Sequence, residues 1–220
     1  MTRAETKERN RRALLDAAFQ VVSRDGYRAK LDEIAERAGL TTGAVYSLFG
    51  SKGGLVAALV TDHLRPHYEE IERAMPAEMD LLEAVEAFAR YYRRSSDAPD
   101  ALSALSLQIT LLDMALHDSE LGSQLATSVR AQESRLIALF TGRSHNGNIV
   151  TSHQAQRLVT ALRALFVGLT QGVLLGLAEG ADEQYFADTA CALASSATLL
   201  DQDADAAVKL ARPGPDGVVE

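Results

Sequence analysis

Thr41, Thr42, Tyr46, Ser47 and Lys52 stand close together in the chain, and each can hydrogen-bond a phosphate oxygen or a base edge. In a helix that starts after Thr41, Val45, Leu48 and Phe49 fall on one apolar face. Thr42, Gly43, Tyr46 and Ser47 share the opposite face, whose small and hydroxyl-bearing side chains can approach a groove closely. Lys52 falls in the first turn of the next helix. A cation there opposes the helix dipole, but it can share a phosphate with the free backbone N–H groups. Other chemistry is thinner. His63 and His67 are four apart, as are Asp113 and His117, and either pair can supply metal ligands. Pro66 lies within the first spacing, and solvated histidines are the plainer reading of both pairs. The chain has no Gly-rich phosphate loop, nucleophile elbow or metal-protease spacing, so it reads as neither an enzyme nor a cofactor protein.

The elements that must position these residues follow from local signals. Leu31, Ile34, Ala35 and Ala38 recur at i, i+3, i+4 and i+7, one face of a helix. Gly39 follows, where the chain needs a residue tolerant of positive φ, and Thr41 can cap the next helix through its hydroxyl. This is a helix, a tight turn and a short second helix, with the N-terminal residues of the second held forward to enter a major groove. Ser51 can cap the helix that carries Lys52. Upstream, a helix from about Thr6 to Asp25 buries Leu15, Ala18, Phe19 and Val22 and ends at Gly26. Arg3, Lys7, Arg9, Arg11 and Arg12 read as a short basic arm for the DNA backbone or minor groove.

With these pieces in place, residues 12–60 resemble the N-terminal domain of the tetracycline-repressor-like (TetR) family. The matching stretches are LLDAAFQVVSRDGY at 14–27 and DEIAERAGLTTGAVYSLFGSK at 32–52, with Leu55 following. The resemblance implies a homodimeric transcriptional regulator, usually a repressor, released from its operator by a small ligand. It places Thr42 and Gly43 where base contacts are made. It places Thr41, Tyr46, Ser47 and Lys52 where phosphate contacts are made, and Arg28 near the groove edge. Three features depart from the family pattern. The segment between Gly26 and Ile34 is one residue shorter, and Lys30 stands where a Ser or Thr normally caps the second helix. That substitution weakens the cap by ~1 kcal/mol, although a lysine can reach a phosphate. Ser47 replaces a frequent histidine. Gly53 and Gly54 replace helix formers, at roughly 1 kcal/mol each, and are expected to loosen the joint between two domains unless they are tolerated variation.

Charge divides the chain in the same place. Residues 1–54 carry a net +3 and the remainder −11, within a total of −8. An acidic chain argues against nucleic acid as a partner, but a basic head on an acidic body reverses that argument. The acidic body can favour a cationic ligand, although a solvated surface is the simpler account. The single Cys191 excludes an internal disulfide and fits a reducing cytoplasm. The charged N-terminus has no apolar core of the signal-peptide kind. Sparse lysine beside arginine and alanine suggests a GC-rich bacterial genome.

Beyond position 54 the periodicity predicts helices from Lys52 toward Arg73 with a kink or break at Pro66, and over 79–96, 100–117, 119–141, 152–178 and 182–200. A polar loop is expected at 142–151, and a polar, Pro- and Gly-containing tail from 201 reads as disordered. Ala164, Gly168, Gly172 and Gly176 form a strip without bulky side chains, beside Leu158, Leu162, Leu165, Phe166, Leu169 and Val173. Phe186, Ala190, Leu193, Ala197 and Leu200 follow alternating steps of four and three, a coiled-coil-like seam. Two such helices from each of two chains make a four-helix homodimer interface, unless both pack only within one chain. The apolar run near 164–178 is too short for a membrane span and contains Thr170 and Gln171.

The expected fold is therefore all-α. A three-helix helix-turn-helix DNA-binding domain at 1–54 precedes a larger helical ligand-binding and dimerisation domain at 55–200, with a tail at 201–220. The expected partners are double-stranded DNA carrying a palindromic operator, a small-molecule effector, and a second copy of the chain. The expected location is the bacterial cytoplasm. The effector pocket is expected among the middle helices, lined by Phe88, Tyr92, Gln108, Leu112, Phe166 and Gln171, with Tyr91 and Asp113 as further candidates. The alternative is a helical sequestering or interaction protein with a vestigial DNA-binding head.

Overall fold

The computed structural model describes residues 2–196, apart from the side chains of Tyr27, His63 and Leu64. Nine helices follow one another among the described residues: α1 Arg3–Asp25, α2 Leu31–Arg37, α3 Thr42–Phe49, α4 Lys52–Ala74, α5 Leu81–Ser95, α6 Ala101–His117, α7 Ser119–Phe140, α8 Ser152–Leu174 and α9 Glu183–Ala194. A 3-10 turn, Gly26–Arg28, links α1 to α2. The helix starts are chemically marked. Thr2 and Glu5 form a reciprocal capping box at α1, Asp80 and Glu83 form one at α5, and Thr151 and Gln154 form one at α8. Asp118 caps α7, its Oδ1 accepting from the N–H groups of Glu120 and Leu121 at 3.0 Å each.

Two apolar cores form. The head core gathers Leu14, Ala18, Val21 and Val22 of α1, Ile34 and Ala35 of α2, Val45 of α3, and Leu55, Val56, Leu59 and Val60 of α4. The same core takes in Leu107 and Met114 of α6 and Leu121 and Leu125 of α7. The body core holds Ile71 and Met75 of α4, Val85 and Phe88 of α5, Leu136 and Phe140 of α7, Leu158, Leu162 and Phe166 of α8, and Phe186 and Ala190 of α9. α4 thus contributes one half to each core and runs through Pro66 without a break. A boundary at 54 separates the charge but not the packing.

Several expectations are revised. α1 begins at Arg3, so Arg3, Lys7, Arg9, Arg11 and Arg12 lie on a helix rather than on an extended arm. The 142–151 loop contains a small hairpin. β1 Ser144–His145 pairs antiparallel with β2 Asn148–Ile149 across Asn146 (φ 48°) and Gly147 (φ 78°). Two successive positive φ angles are what a tight hairpin turn with the strands' own twist requires, and Asn-Gly supplies them. α8 stops at Leu174, and Gly176 adopts φ 69° in the turn that ends it, with the Leu177 and Ala178 N–H groups both bonded to the Gly172 carbonyl. Gly176 is therefore a helix terminator and not the end of a small-residue strip. At 23 residues α8 is also long and apolar enough to cross a membrane by length and composition, unlike the shorter run read from the sequence. Its inner face, Ala155, Leu158, Val159, Leu162 and Phe166, is buried in the body core. Ala197, Leu200 and the 201–220 tail lie outside the described residues.

The hairpin is tied down by an unexpected group. Arg143 is 6% exposed, and its guanidinium donates to the carbonyls of Leu139 (2.6 Å), Met75 (2.9 Å), Pro76 (3.0 Å) and Met79 (2.8 Å). It joins the end of α7 to the connection between α4 and α5. Burial pushes its pKa down from the ordinary arginine value, and the Glu78 carboxylate offsets part of that.

Candidate nucleic-acid interface

The second helix of the turn is built as its spacing predicts. Gly39 sits at φ 66° between α2 and α3, and the Leu40 N–H closes the turn on the Ala35 carbonyl at 2.8 Å. Thr41 caps α3, its hydroxyl accepting from the Ala44 N–H at 3.3 Å. Val45 is fully buried and Leu48 and Phe49 are half-buried, which turns Gly43, Tyr46 and Ser47 to solvent. Tyr46 is 55% exposed, an unusual place for a large aromatic that has no outside contact to make. A Cβ on Gly43 would meet only the Thr41 hydroxyl, at 3.6 Å, so the bare position leaves room on the outward face. Thr42, the first residue of α3, donates its hydroxyl to Asp32 Oδ1 at 2.8 Å.

Cations gather at the edges of this face. One open cleft, between α1 and α3, is lined by Arg3, Thr6, Lys7, Asn10, Ala44, Ser47 and Leu48. The helical form of the N-terminus puts Arg3 and Lys7 there. A second cleft, at the start of α2, is lined by Arg24, Asp25, Arg28, Lys30 and Glu33. Arg28 and Lys30 are exposed in it, and Lys30 makes no side-chain cap on α2, as its chemistry requires. Arg24 is engaged with Asp25 and Glu33, which joins the end of α1 to α2. Arg11 turns away from the outer surface. Its guanidinium lies over the Phe49 ring (6.0 Å) and within 3.5 Å of Asp62.

The joint behind α3 is tight. Gly50 ends α3 at φ 78°, and Ser51 caps α4 by accepting from the Gly54 N–H at 2.9 Å. A Cβ on Gly54 would lie 2.0 Å from the Phe49 carbonyl oxygen, so no other residue fits there without moving α3 or α4. A Cβ on Gly53 would lie 2.8 Å from the Gln124 side-chain oxygen of α7. The glycines permit close approach and do not loosen the joint. Lys52 is half-buried beside them. Burial lowers its pKa, and Asp118 pulls the other way.

The residues expected to line an effector pocket divide. Phe88, Tyr92 and Phe166 come together. Tyr92 stacks on Phe166 (centroids 4.8 Å, 17°) and meets Phe88 edge-on at 5.0 Å. Phe140, Phe186 and His67 extend the cluster. Tyr91 joins at its rim, with its hydroxyl 2.8 Å from His67 Nδ1 and donating to Glu70 at 3.1 Å. Burial raises the pKa of both tyrosines. Gln108 and Leu112 point outward on α6, Leu112 being 60% exposed, and do not join them. Asp113 and Gln171 are half-buried. The sequence gives no sign that Asp32, Gln132 or Thr170 matters, and it marks His67 only as a candidate metal ligand, not as a neighbour of Tyr91 and Tyr92. Gln132 Oε1 and Thr170 Oγ1 are buried polar atoms with no hydrogen-bond partner, on α7 and α8. Such atoms carry no signature in one dimension.

Of the expected dimer-forming residues, Phe186 and Ala190 are fully buried within the chain, where α9 packs along α5, and Leu193 is half-buried against the same core. Phe186 and Ala190 therefore leave no surface for a partner. Gly168 is on the exposed face of α8, and a Cβ there would meet nothing within 4 Å. Gly172 is close to Ala178, 3.0 Å from where its Cβ would be. Asp113 and His117 do approach, His117 Nδ1 lying 3.5 Å from Asp113 Oδ1. Among the described residues no group of three or more His, Cys, Asp or Glu is placed to hold a metal ion. The side chain of His63 is outside them.

Comparison with known proteins agrees with this geometry. The family model of the bacterial regulatory proteins of the tetR family matches residues 14–59. The chain is 30% identical over 185 residues to the HTH-type transcriptional regulator BetI of Stenotrophomonas maltophilia (strain R551-3), covering 76% of this chain and 82% of that one. A TetR-family regulator from Rhodococcus sp. superposes with a TM-score of 0.65 at 20% identity, over 86% of this chain and 100% of its own. The Bacillus subtilis regulator FadR, solved in complex with stearoyl-CoA, superposes with a TM-score of 0.58 at 18% identity, over 84% and 97%.

Proposed function

The chain belongs to the TetR family of DNA-binding transcriptional regulators, and we propose that it works as a homodimeric repressor that leaves a palindromic operator when a small effector binds its body. The observation that carries this reading is the outward face of α3. There Gly43, Tyr46 and Ser47 stand exposed above a buried Val45, with Arg3 and Lys7 at one edge and Arg28 and Lys30 at the start of α2. Thr42 and Gly43 then read bases, while Thr41, Tyr46, Ser47, Arg28 and Lys30 hold phosphates. Lys52 reaches a phosphate only by leaving its half-buried place near Asp118.

The dimer forms through the outward side of α8 and the turn after it. Ala164 and Gly168 there present no bulk, and Leu175, Leu177 and Tyr185 are 61%, 79% and 51% exposed. Covering this surface accounts for an apolar helix that one protomer buries on only one side. The effector enters the aromatic cluster of Phe88, Tyr92, Phe166 and His67, on the reading that the unpartnered Gln132 and Thr170 atoms of α7 and α8 supply its polar contacts. A mainly apolar compound suits such a lining; of the stearoyl-CoA bound by FadR only the acyl chain is of that kind. Release follows because α6 and α7 reach into the head core through Leu107, Met114, Leu121 and Leu125. An effector that prefers a shifted arrangement of these helices respaces the two heads.

The test is selection of bound sequences from a random duplex library at moderate salt. Recovery of a palindrome with half-sites one helical turn or somewhat more apart is the expected result. Tyr46→Phe should then weaken binding about fivefold at every sequence, as loss of one phosphate hydrogen bond does. Recovery of nothing from a folded, dimeric protein favours sequestration with a vestigial head.

A further inference from the structure

We propose that Asp32 fixes the polarity of Thr42, and thereby confines the base read by this residue to one that presents an amino group, adenine or cytosine. The inference rests on the DNA-binding reading of α3 and extends it to the chemistry of one contact. Thr42 opens α3 and Asp32 lies in the first turn of α2, so their hydrogen bond of 2.8 Å spans the helix-turn-helix corner. A hydroxyl has a single proton to donate, and a carboxylate can only accept. The Thr42 proton is thus committed inward, and only oxygen lone pairs are left to face a groove.

In the major groove the donors are adenine N6 and cytosine N4. Guanine offers N7 and O6, and thymine offers O4 and a methyl group. Phosphate oxygens also accept only. While the Asp32 bond holds, Thr42 can bind neither a phosphate nor a guanine or thymine oxygen. The neighbouring Thr41 is set the other way. Its oxygen accepts from the Ala44 N–H, which leaves its own proton for an acceptor such as a phosphate. Two adjacent threonines, alike in sequence, are therefore assigned opposite partners by what their oxygens meet inside the protein. Asp32 is a positioning residue in this scheme. It is exposed, and its charge also repels a phosphate drawn toward Thr42.

Selection from a random duplex library with the full-length wild type, Thr42→Val, Thr42→Ser and Asp32→Ala tests this, with thermal unfolding as the control for folding. Thr42→Val identifies the step read by this residue as the one whose preference it changes. At the base pair so identified, the wild type should prefer the natural amino-bearing base roughly fivefold or more over its des-amino analogue (purine for adenine, 2-pyrimidinone for cytosine) in a titration of synthetic duplexes, the worth of one hydrogen bond. Thr42→Ser should keep that preference. Asp32→Ala should flatten it, with the other steps unchanged, and should add nothing when combined with Thr42→Val. A wild type indifferent to the loss of that amino group overturns the inference. So does an Asp32→Ala profile that is unchanged, or one that is weakened equally at every step. A folded wild type that enriches no palindrome overturns the operator reading and this inference together, whereas a palindrome indifferent to Asp32 overturns this inference alone.

Discussion

Gly54→Ala should damage the head although it replaces a poor helix former by the best one. The added Cβ would stand 2.0 Å from the Phe49 carbonyl oxygen and 3.2 Å from its carbon. Ordinary van der Waals separation then requires α3 and α4 to part by roughly 1–1.5 Å. The atom met is backbone, so no rotamer change relieves it, and the cost falls at the upper end of overpacking, about 3 kcal/mol. Better helix propensity returns ~1 kcal/mol. The net loss of about 2 kcal/mol lowers Tm by roughly 4–8 °C for a chain of this length. Gly53→Ala is the internal control, since its Cβ meets only the movable amide of Gln124 at 2.8 Å. It should be neutral, or more stable by up to about 1 kcal/mol. The displaced end of α3 should also cost Gly54→Ala at least about tenfold in operator affinity, because contacts to fixed groups lengthen together. Thermal unfolding and a binding titration of the two variants side by side measure both effects. Equal behaviour of the two variants, or a Gly54→Ala protein as stable as the wild type with affinity within about twofold, would refute the argument.

Three further outcomes follow from single residues. Arg143→Met leaves four carbonyls without their shared donor and should cost at least about 3 kcal/mol in urea unfolding, with Arg143→Lys recovering only part because an ammonium cannot span them all. A loss under about 1 kcal/mol would show that water replaces the guanidinium without penalty. Gly168→Leu should leave the protomer folded, since a side chain there meets nothing within 4 Å of its own chain, yet light scattering should report monomers in place of the proposed dimer. Burial, with Glu86 and Asp188 adding to it, raises the Cys191 pKa, so the neutral thiol persists to higher pH than in the unfolded chain. Alkylation at mildly alkaline pH should therefore be slow in the native protein and fast in denaturant, and the stability that the group confers should fade as pH rises through its raised pKa. Equal alkylation rates in both states would contradict that burial.

The features legible from the sequence are those set by short separations along the chain. The Thr41 and Ser51 caps, the Gly26 and Gly39 turns and the inward Val45 all depend on neighbours within a helical turn or so. The Asn146-Gly147 hairpin was equally local, but its flanking strands of two residues are too short to show alternation. What escaped was set by the opposite wall. The spacing of Phe186, Ala190 and Leu193 correctly marks an apolar stripe, yet periodicity cannot say whether that stripe faces a second chain or α5 of its own. Gly54 looked like tolerated variation until the Phe49 carbonyl was placed beside it. Asp32 is an acidic residue in the first turn of α2, and nothing linear connects it to Thr42.

The same non-local packing decides how a signal can reach the DNA face. If the head were a separate bead joined only by α4, its angle would depend on bending one helix near Pro66. Instead the head core is closed by Leu107 and Met114 of α6 and by Leu121 and Leu125 of α7, so the head is held at two places. The corner between α6 and α7 also bears on the start of α4, through Asp118 near Lys52 and Gln124 over Gly53. α7 continues from this corner to Leu136 and Phe140 in the aromatic core of the body. A shift of α7 that admits a ligand beside Phe88 and Phe166 must therefore move the corner against α4 or unpack the head core. Close packing makes either response discrete rather than gradual. Gly54 fastens the start of α4 to the end of α3, so displacement of this corner is passed to the DNA-facing helix with little slack.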